Sequence, residues 1–172
     1  ITGGEPMMSP SLWRLLDWFE TQKHKVNPNM RLAINSNLVP KRELFVKFMN
    51  KVKNIPNLHI YTSNEATYEQ SNYIRDGMDY TTWYTHLVNL PGTVKPAGIH
   101  NMCTINALCL ESLPDFLDDV VKNKKAWKRV YDVDFNFTLN ILRFPSFQSP
   151  LVLPNNLRTK FKQNLQTWLD KN

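Results

Sequence analysis

The chain has 172 residues, which fits one domain or a piece of a larger one and excludes a long multidomain array. Hydrophobic residues make up 42% and charged residues 21%, enough apolar surface for a core and too much for a disordered segment. The 21 Lys and Arg against 15 Asp and Glu give a net charge of +6, which favours anionic partners in general without selecting nucleic acid.

Ile1-Thr2-Gly3-Gly4 reads as the last step of a strand entering a turn, and the chain is expected to be a fragment whose true beginning is missing. The spacing of Leu12, Leu15, Leu16 and Phe19 predicts a helix from Ser9 to about His24, with Ser9 as cap and Pro10 at its first position. Arg31 to Asn35 reads as a buried parallel strand that ends in Asn35-Ser36-Asn37. A second helix is expected from about Pro40 to Lys53, and a second strand from Leu58 to Thr62, followed by Ser63-Asn64-Glu65.

Tyr68 to Leu90 is expected to be helical, interrupted at Arg75-Asp76-Gly77, with Thr81 or Thr82 capping the second piece and Pro91-Gly92 ending it. Ile99 to Asn106 reads as a strand. Ser112 is expected to cap a helix from Pro114 to about Lys128, whose end is basic through Lys122, Lys124, Lys125, Lys128 and Arg129. A strand from Phe135 to Phe144 and a helix from Asn156 to Lys171 complete the series.

Strands alternating with helices imply an α/β fold with a parallel sheet, open or curled into part of a barrel, and a ligand site at the carboxyl ends of the strands. Two cysteines, Cys103 and Cys109, provide no disulfide framework and no zinc-ribbon spacing. They read as buried small hydrophobes. His24, His59, His86 and His100 are scattered without carboxylate partners at ligand spacing, and read as surface or satisfied core residues. No window is long and apolar enough to span a bilayer, so a soluble, cytoplasmic protein that does not use a membrane is expected.

Gly3-Gly4-Glu5-Pro6 is the most informative tetrapeptide, because glycines admit close approach of backbone to a ligand and a strand-end carboxylate can hold an ammonium. Together with Asn35-Ser36-Asn37-Leu38, Tyr61 to Ala66, Tyr73 to Gly77 and Asn140 to Pro145, in that order, it resembles the radical S-adenosylmethionine superfamily. Within it the pattern looks like the twitch domain-containing proteins, common in phage and bacterial genomes. The resemblance implies a partial TIM-like (β/α)6 barrel over residues 1–150, with strands two to six present, and a C-terminal helix over 151–172 that begins an accessory region.

The same resemblance gives Glu5 the cofactor's ammonium, Gly3 and Gly4 backbone contacts, and Ser63 a place near its ribose or carboxylate. It gives Arg75 the methionyl carboxylate and Asn37 a lesser contact; Ile105, Asn106 and Leu142 fall near the adenine. The implied cofactors are S-adenosylmethionine and a 4Fe-4S cluster whose cysteine ligands are not in this chain. The implied reaction is reductive cleavage to a 5′-deoxyadenosyl radical that acts on a peptide, nucleotide or carbohydrate, with flavodoxin or ferredoxin as reducing partner. A second expectation, from a different class, is a non-catalytic barrel that binds nucleic acid or another anion through its basic helix end, with Trp127 and Tyr131 beside it. Plainer readings stand beside these: an ordinary turn at Gly3-Gly4, a helix end at Gly77, and a capping role for Ser63.

Overall fold

The computed structural model describes residues 1–22, 26, 27 and 29–172. Among the described residues four strands, β1 (Leu32–Asn35), β2 (Leu58–Ser63), β3 (Gly98–Ile105) and β4 (Asp134–Ile141), form one sheet in chain order. All three pairings are parallel, with Leu32 opposite Leu58, His59 opposite Gly98 and Gly98 opposite Asp134. The α/β reading therefore stands, with four strands where five were expected. The stretch expected as the first strand contributes a single pairing residue: the Ile1 ammonium donates to the Ala33 carbonyl at 2.7 Å, and the Asn35 N–H to the Ile1 carbonyl at 3.0 Å.

Helices connect the strands: α1 (Pro10–Thr21) before β1, α2 (Arg42–Val52) between β1 and β2, and α3 (Tyr68–Ile74) and α4 (Tyr80–Thr93) between β2 and β3. Then come α5 (Leu113–Tyr131) before β4 and α6 (Asn155–Lys171) after it. Neighbouring helices pack as α1 on α2, α2 on α4, α4 on α5 and α5 on α6. Alternate strand residues, Leu32, Ile34, Leu58, Ile60, Ile99, Cys103 and Phe135, join Leu16, Phe45, Phe48, Trp83 and Phe116 in one core. The intervening residues, among them Asn35, His59, Tyr61, Ser63, His100 and Thr104, are only half-buried. The strands thus show the alternation of a sheet covered on one face rather than the continuous burial expected for Arg31 to Asn35.

Local chemistry explains the boundaries. Ser9 caps α1 by accepting the Ser11 N–H at 3.3 Å, with Pro10 in the first turn; the described helix ends at Thr21, and His24 lies outside the described residues. Asp79, not Thr81 or Thr82, caps α4 through its carboxylate and the Thr82 N–H at 2.6 Å, a charge-assisted bond at the positive end of the helix. Pro91 does not end that helix. Its missing N–H costs only one bond near the C-terminus, and the chain turns on until Val94 N–H reaches the Leu90 carbonyl at 2.9 Å. Ser112 stands at the N-cap of α5 but does not cap it; its hydroxyl accepts the Thr67 N–H at 3.2 Å instead. β4 stops at Ile141, short of the expected Phe144. Among the described residues no helix is long and apolar enough to cross a membrane.

Candidate functional site

A parallel sheet delivers all its strand ends to one edge, and the polar residues there fall into two groups. The first is built on Glu5. Gly3 and Gly4 adopt φ of +95° and +60°, which only glycine takes without strain, and turn the chain so that Glu5 reaches the end of β1. One Glu5 oxygen accepts the Ser36 hydroxyl at 2.9 Å and the Met7 N–H at 3.1 Å; the other accepts the Asn37 N–H at 2.8 Å. A carboxylate has about four acceptor positions, so one remains open on this half-buried group. Nothing lies within 4 Å of where a Cβ would stand at Gly3 or Gly4, and both are exposed.

The turn that follows β1 is held from below. Leu38 sits at φ +55°, an unfavourable conformation for a branched side chain, and three bonds fix it. Its N–H donates to the Ser36 hydroxyl at 3.0 Å, the Val39 N–H to the Asn37 side-chain oxygen at 3.0 Å, and its carbonyl accepts from His86 Nδ1 at 2.9 Å. His86, on α4, is buried and stacks on Phe45 with ring centroids 3.9 Å apart. Burial holds its pKa below the ordinary histidine value. It is a satisfied core histidine, and it supports the turn that presents Glu5.

The second group follows β2. Ser63 is half-buried and its hydroxyl bonds to nothing among the described residues; the cap position of α3 belongs to Thr67. Glu65 is buried, with 4% of its side chain accessible. Arg75 donates to one of its oxygens from Nε at 3.0 Å and from a terminal nitrogen at 2.5 Å, and Asn106 approaches the other oxygen at 3.4 Å. Burial raises the Glu65 carboxyl above its ordinary range, against the lowering effect of the Arg75 charge and hydrogen bonds. Arg75 is therefore committed to a carboxylate of its own chain; it stands just past α3 rather than inside it, and Gly77 at φ +75° serves the turn that follows.

The structure thus brings Gly3, Gly4, Glu5 and Asn37 together, pairs Arg75 with Glu65, and leaves Ser63 at the end of β2 without a side-chain partner among the described residues. Ile105 ends β3, with its carbonyl accepting the Leu142 N–H at 2.8 Å. Asn106 is buried and spends its side-chain oxygen on the Leu108 and Cys109 N–H groups, at 2.9 and 3.1 Å. Sequence reasoning passed over Glu65 as a partner for Arg75. The signal was a carboxylate ten residues before an arginine across a helix and its turn.

Cys103 and Cys109 are both fully buried. Burial pushes both thiols up, Cys109 to about 11 and Cys103 further, so neither supplies a thiolate readily. Among the described residues no group of three or more His, Cys, Asp or Glu is arranged to hold a metal ion. Trp127 belongs to the core, 4.7 Å from Phe135 between ring centroids, and offers no stacking surface beside the basic end of α5. Neither protein-family models, nor curated proteins, nor solved structures give a match to this chain.

Proposed function

We propose that this chain is the cofactor-binding part of a radical S-adenosylmethionine enzyme, with its four parallel strands forming an arc of a TIM-like barrel. The observation that carries the reading is the Glu5 carboxylate at the end of the sheet, flanked by two open positive-φ glycines and retaining one acceptor position. The residues fit the methionyl end of the cofactor. Glu5 takes its ammonium, the Gly3 and Gly4 backbone lies against it, and the Ser63 hydroxyl and Asn37 amide donate to its polar groups. The chemistry which that cofactor supplies, once bound beside a reduced 4Fe-4S cluster, is radical abstraction of a hydrogen atom from substrate. The cluster itself finds no fit in this chain. It needs cysteine thiolates, and the two cysteines present are buried and kept protonated. The chain's own work is to bind and orient the cofactor.

Titration of S-adenosylmethionine into the chain, followed by calorimetry, tests this. Saturable binding that weakens at least tenfold in Glu5→Ala, and less in Ser63→Ala, is the expected result. Absence of binding, or equal binding by Glu5→Ala, overturns it. A runner-up reading rests on Lys122, Lys124, Lys125 and Arg129, which line the exposed side of α5: a binding module for nucleic acid or another polyanion. Lys128 contributes little to it, being bridged to Asp132 and Asp134 at 2.8 and 3.0 Å. Nucleic-acid affinity that falls steeply with salt, with no affinity for S-adenosylmethionine, would select this reading.

A further inference from the structure

The two outer strands of the sheet differ. β1 is flanked by Ile1, whose ammonium and carbonyl bond to Ala33 and Asn35. β4 pairs with β3 on one side only, so among the described residues its other edge carries unpaired backbone groups, a template for a further strand. The usual guards of such an edge are missing. Asp134 to Ile141 contains no lysine and no proline, and its one-to-one register with Gly98 to Ile105 leaves no bulge. Leu142 N–H donates to the Ile105 carbonyl, and ladder bonds to one neighbour fall on alternate residues. Phe135, Phe137, Leu139 and Ile141 therefore turn their N–H and C=O groups to the free side.

The side chains supply the second observation. Leu139 and Ile141 are 59% and 54% exposed, Phe144 and Phe147 84% and 75%, and Leu151 and Val152 are also more than half exposed. The two phenylalanines alone present roughly 300 Å2, as much as the largest apolar patch on many monomers. The six together approach the roughly 800 Å2 that each partner buries in a standard interface. The strand is also complementary to itself. When two copies pair antiparallel about a two-fold axis at Thr138, Phe137 meets Leu139 and Phe135 meets Ile141 on one face, and Asn136 meets Asn140 on the other. Arg143 is exposed and has no ion pair among the described residues. That register brings it level with Val133 of the other copy, between Asp132 and Asp134, two carboxylates that share the single Lys128. Moving the axis to Phe137 or Leu139 leaves Arg143 beside only one of them.

We infer that β4 is the interface of a symmetric homodimer, in which two copies of this chain pair their β4 edges antiparallel about Thr138 and cover each other's exposed apolar residues. The two four-stranded sheets then form one continuous sheet. The interface is isologous: it occupies the free edge of both copies and closes at two. It lies at the opposite edge of the sheet from Glu5 and does not depend on S-adenosylmethionine binding.

Sedimentation equilibrium of the chain at roughly 1 to 100 µM tests this, and the mass should rise to twice the 20.2 kDa of one chain and stop there. Leu139→Lys, at an exposed position, should keep the far-ultraviolet spectrum of the parent and weaken association at least tenfold. Arg143→Glu should weaken it at least threefold. Cysteines read the register without removing apolar surface. Thr138→Cys faces its own copy across the axis at the Cα separation of about 4.5 Å of a non-hydrogen-bonded pair, within disulfide reach, and oxidised glutathione should link it. Asn136→Cys, set opposite Asn140, should stay unlinked; Cys103 and Cys109 are fully buried and take no part. The inference is overturned by a single-chain mass across the whole range or by a mass that grows beyond two chains. Undiminished association of Leu139→Lys, or failure of Thr138→Cys to link more than Asn136→Cys, overturns it equally.

Discussion

Replacing Arg75 by methionine should expose how much the strand-end ion pair contributes. The change takes the guanidinium from a carboxylate that is 4% accessible in the parent and leaves it only the Asn106 amide at 3.4 Å as a side-chain donor. Removing one partner of a buried pair costs about 3 to 5 kcal/mol. Arg75 itself is 29% accessible, so water can enter its place, and the lower end, about 3 kcal/mol at pH 7, is expected. The deficit should depend on pH. Burial already holds the Glu65 carboxyl above its ordinary value of 4.5, and Arg75 is what limits the rise. A carboxyl raised in the folded state holds its proton more tightly there than in the unfolded chain. Its contribution is complete below the unfolded value and is lost as pH climbs through the folded one. Without Arg75 that loss extends to higher pH, so the deficit should shrink between pH 7 and 5, by at most about 1.4 kcal/mol per pH unit. Urea unfolding of the parent, Arg75→Met, Glu65→Gln and the double variant at both pH values measures this, and Glu65→Gln should restore most of the stability lost in Arg75→Met. A deficit below about 1 kcal/mol at pH 7, or one unchanged at pH 5, would refute the reasoning.

Trp83→Phe removes the indole N–H that donates to the Thr62 hydroxyl at 2.9 Å, both groups being buried. A loss of about 2 kcal/mol in urea unfolding is expected, with partial recovery when Thr62→Val is added. His59 and His100 share a hydrogen bond of 2.9 Å on the open face of the sheet. Burial lowers both pKa values, the Arg31 charge lowers both further, and His59 lowers His100. The folded state therefore prefers them neutral, and their contribution is complete above the unfolded value of 6.5 and lost as pH falls below it. The unfolding midpoint should drop between pH 7 and 5 and do so less in the His59→Asn, His100→Asn double variant; an identical drop contradicts the assignment. Gly98→Ala places a methyl carbon 3.0 Å from both bonded imidazole nitrogens and should break that bond. The expected signs are a displaced His100 Nε2 resonance and a loss of about 1 kcal/mol.

What the sequence made legible was local. The helical spacing of Leu44, Phe45, Phe48, Met49 and Val52 marks the face of α2 that is packed, and the polar clusters after β1 and β2 mark the strand ends, because helical period and strand termination are written in neighbouring residues. What it hid depends on register. His59 and His100 are 41 positions apart, and they meet only because the parallel ladder sets Gly98 beside His59 and leaves room for the second ring. The role of His86 is equally invisible, since its partner is a carbonyl at Leu38. At Arg75 the expectation of a free guanidinium met a nearer carboxylate. Glu65 is buried and needs a counter-charge whether or not a ligand is present.

That last point gives the proposed site a direction. Glu5 is held at the sheet edge by neutral donors and has one acceptor position left, which suits an ammonium. Arg75 is spent on Glu65. An amino-acid ligand whose carboxylate takes over the Nε and terminal N–H groups now given to Glu65 leaves Glu65 buried without them, and the carboxyl, already raised, would then take up a proton. Binding of the zwitterion should accordingly be coupled to proton uptake and tighten as pH falls from 8 to 6. In Glu65→Gln the coupling should vanish, because the neutral amide needs no counter-charge. Calorimetry in two buffers of different ionisation enthalpy counts the protons directly. An uptake near zero in the parent, or the same uptake in Glu65→Gln, would mean that Arg75 stays with Glu65 and that the ligand's carboxylate is held elsewhere.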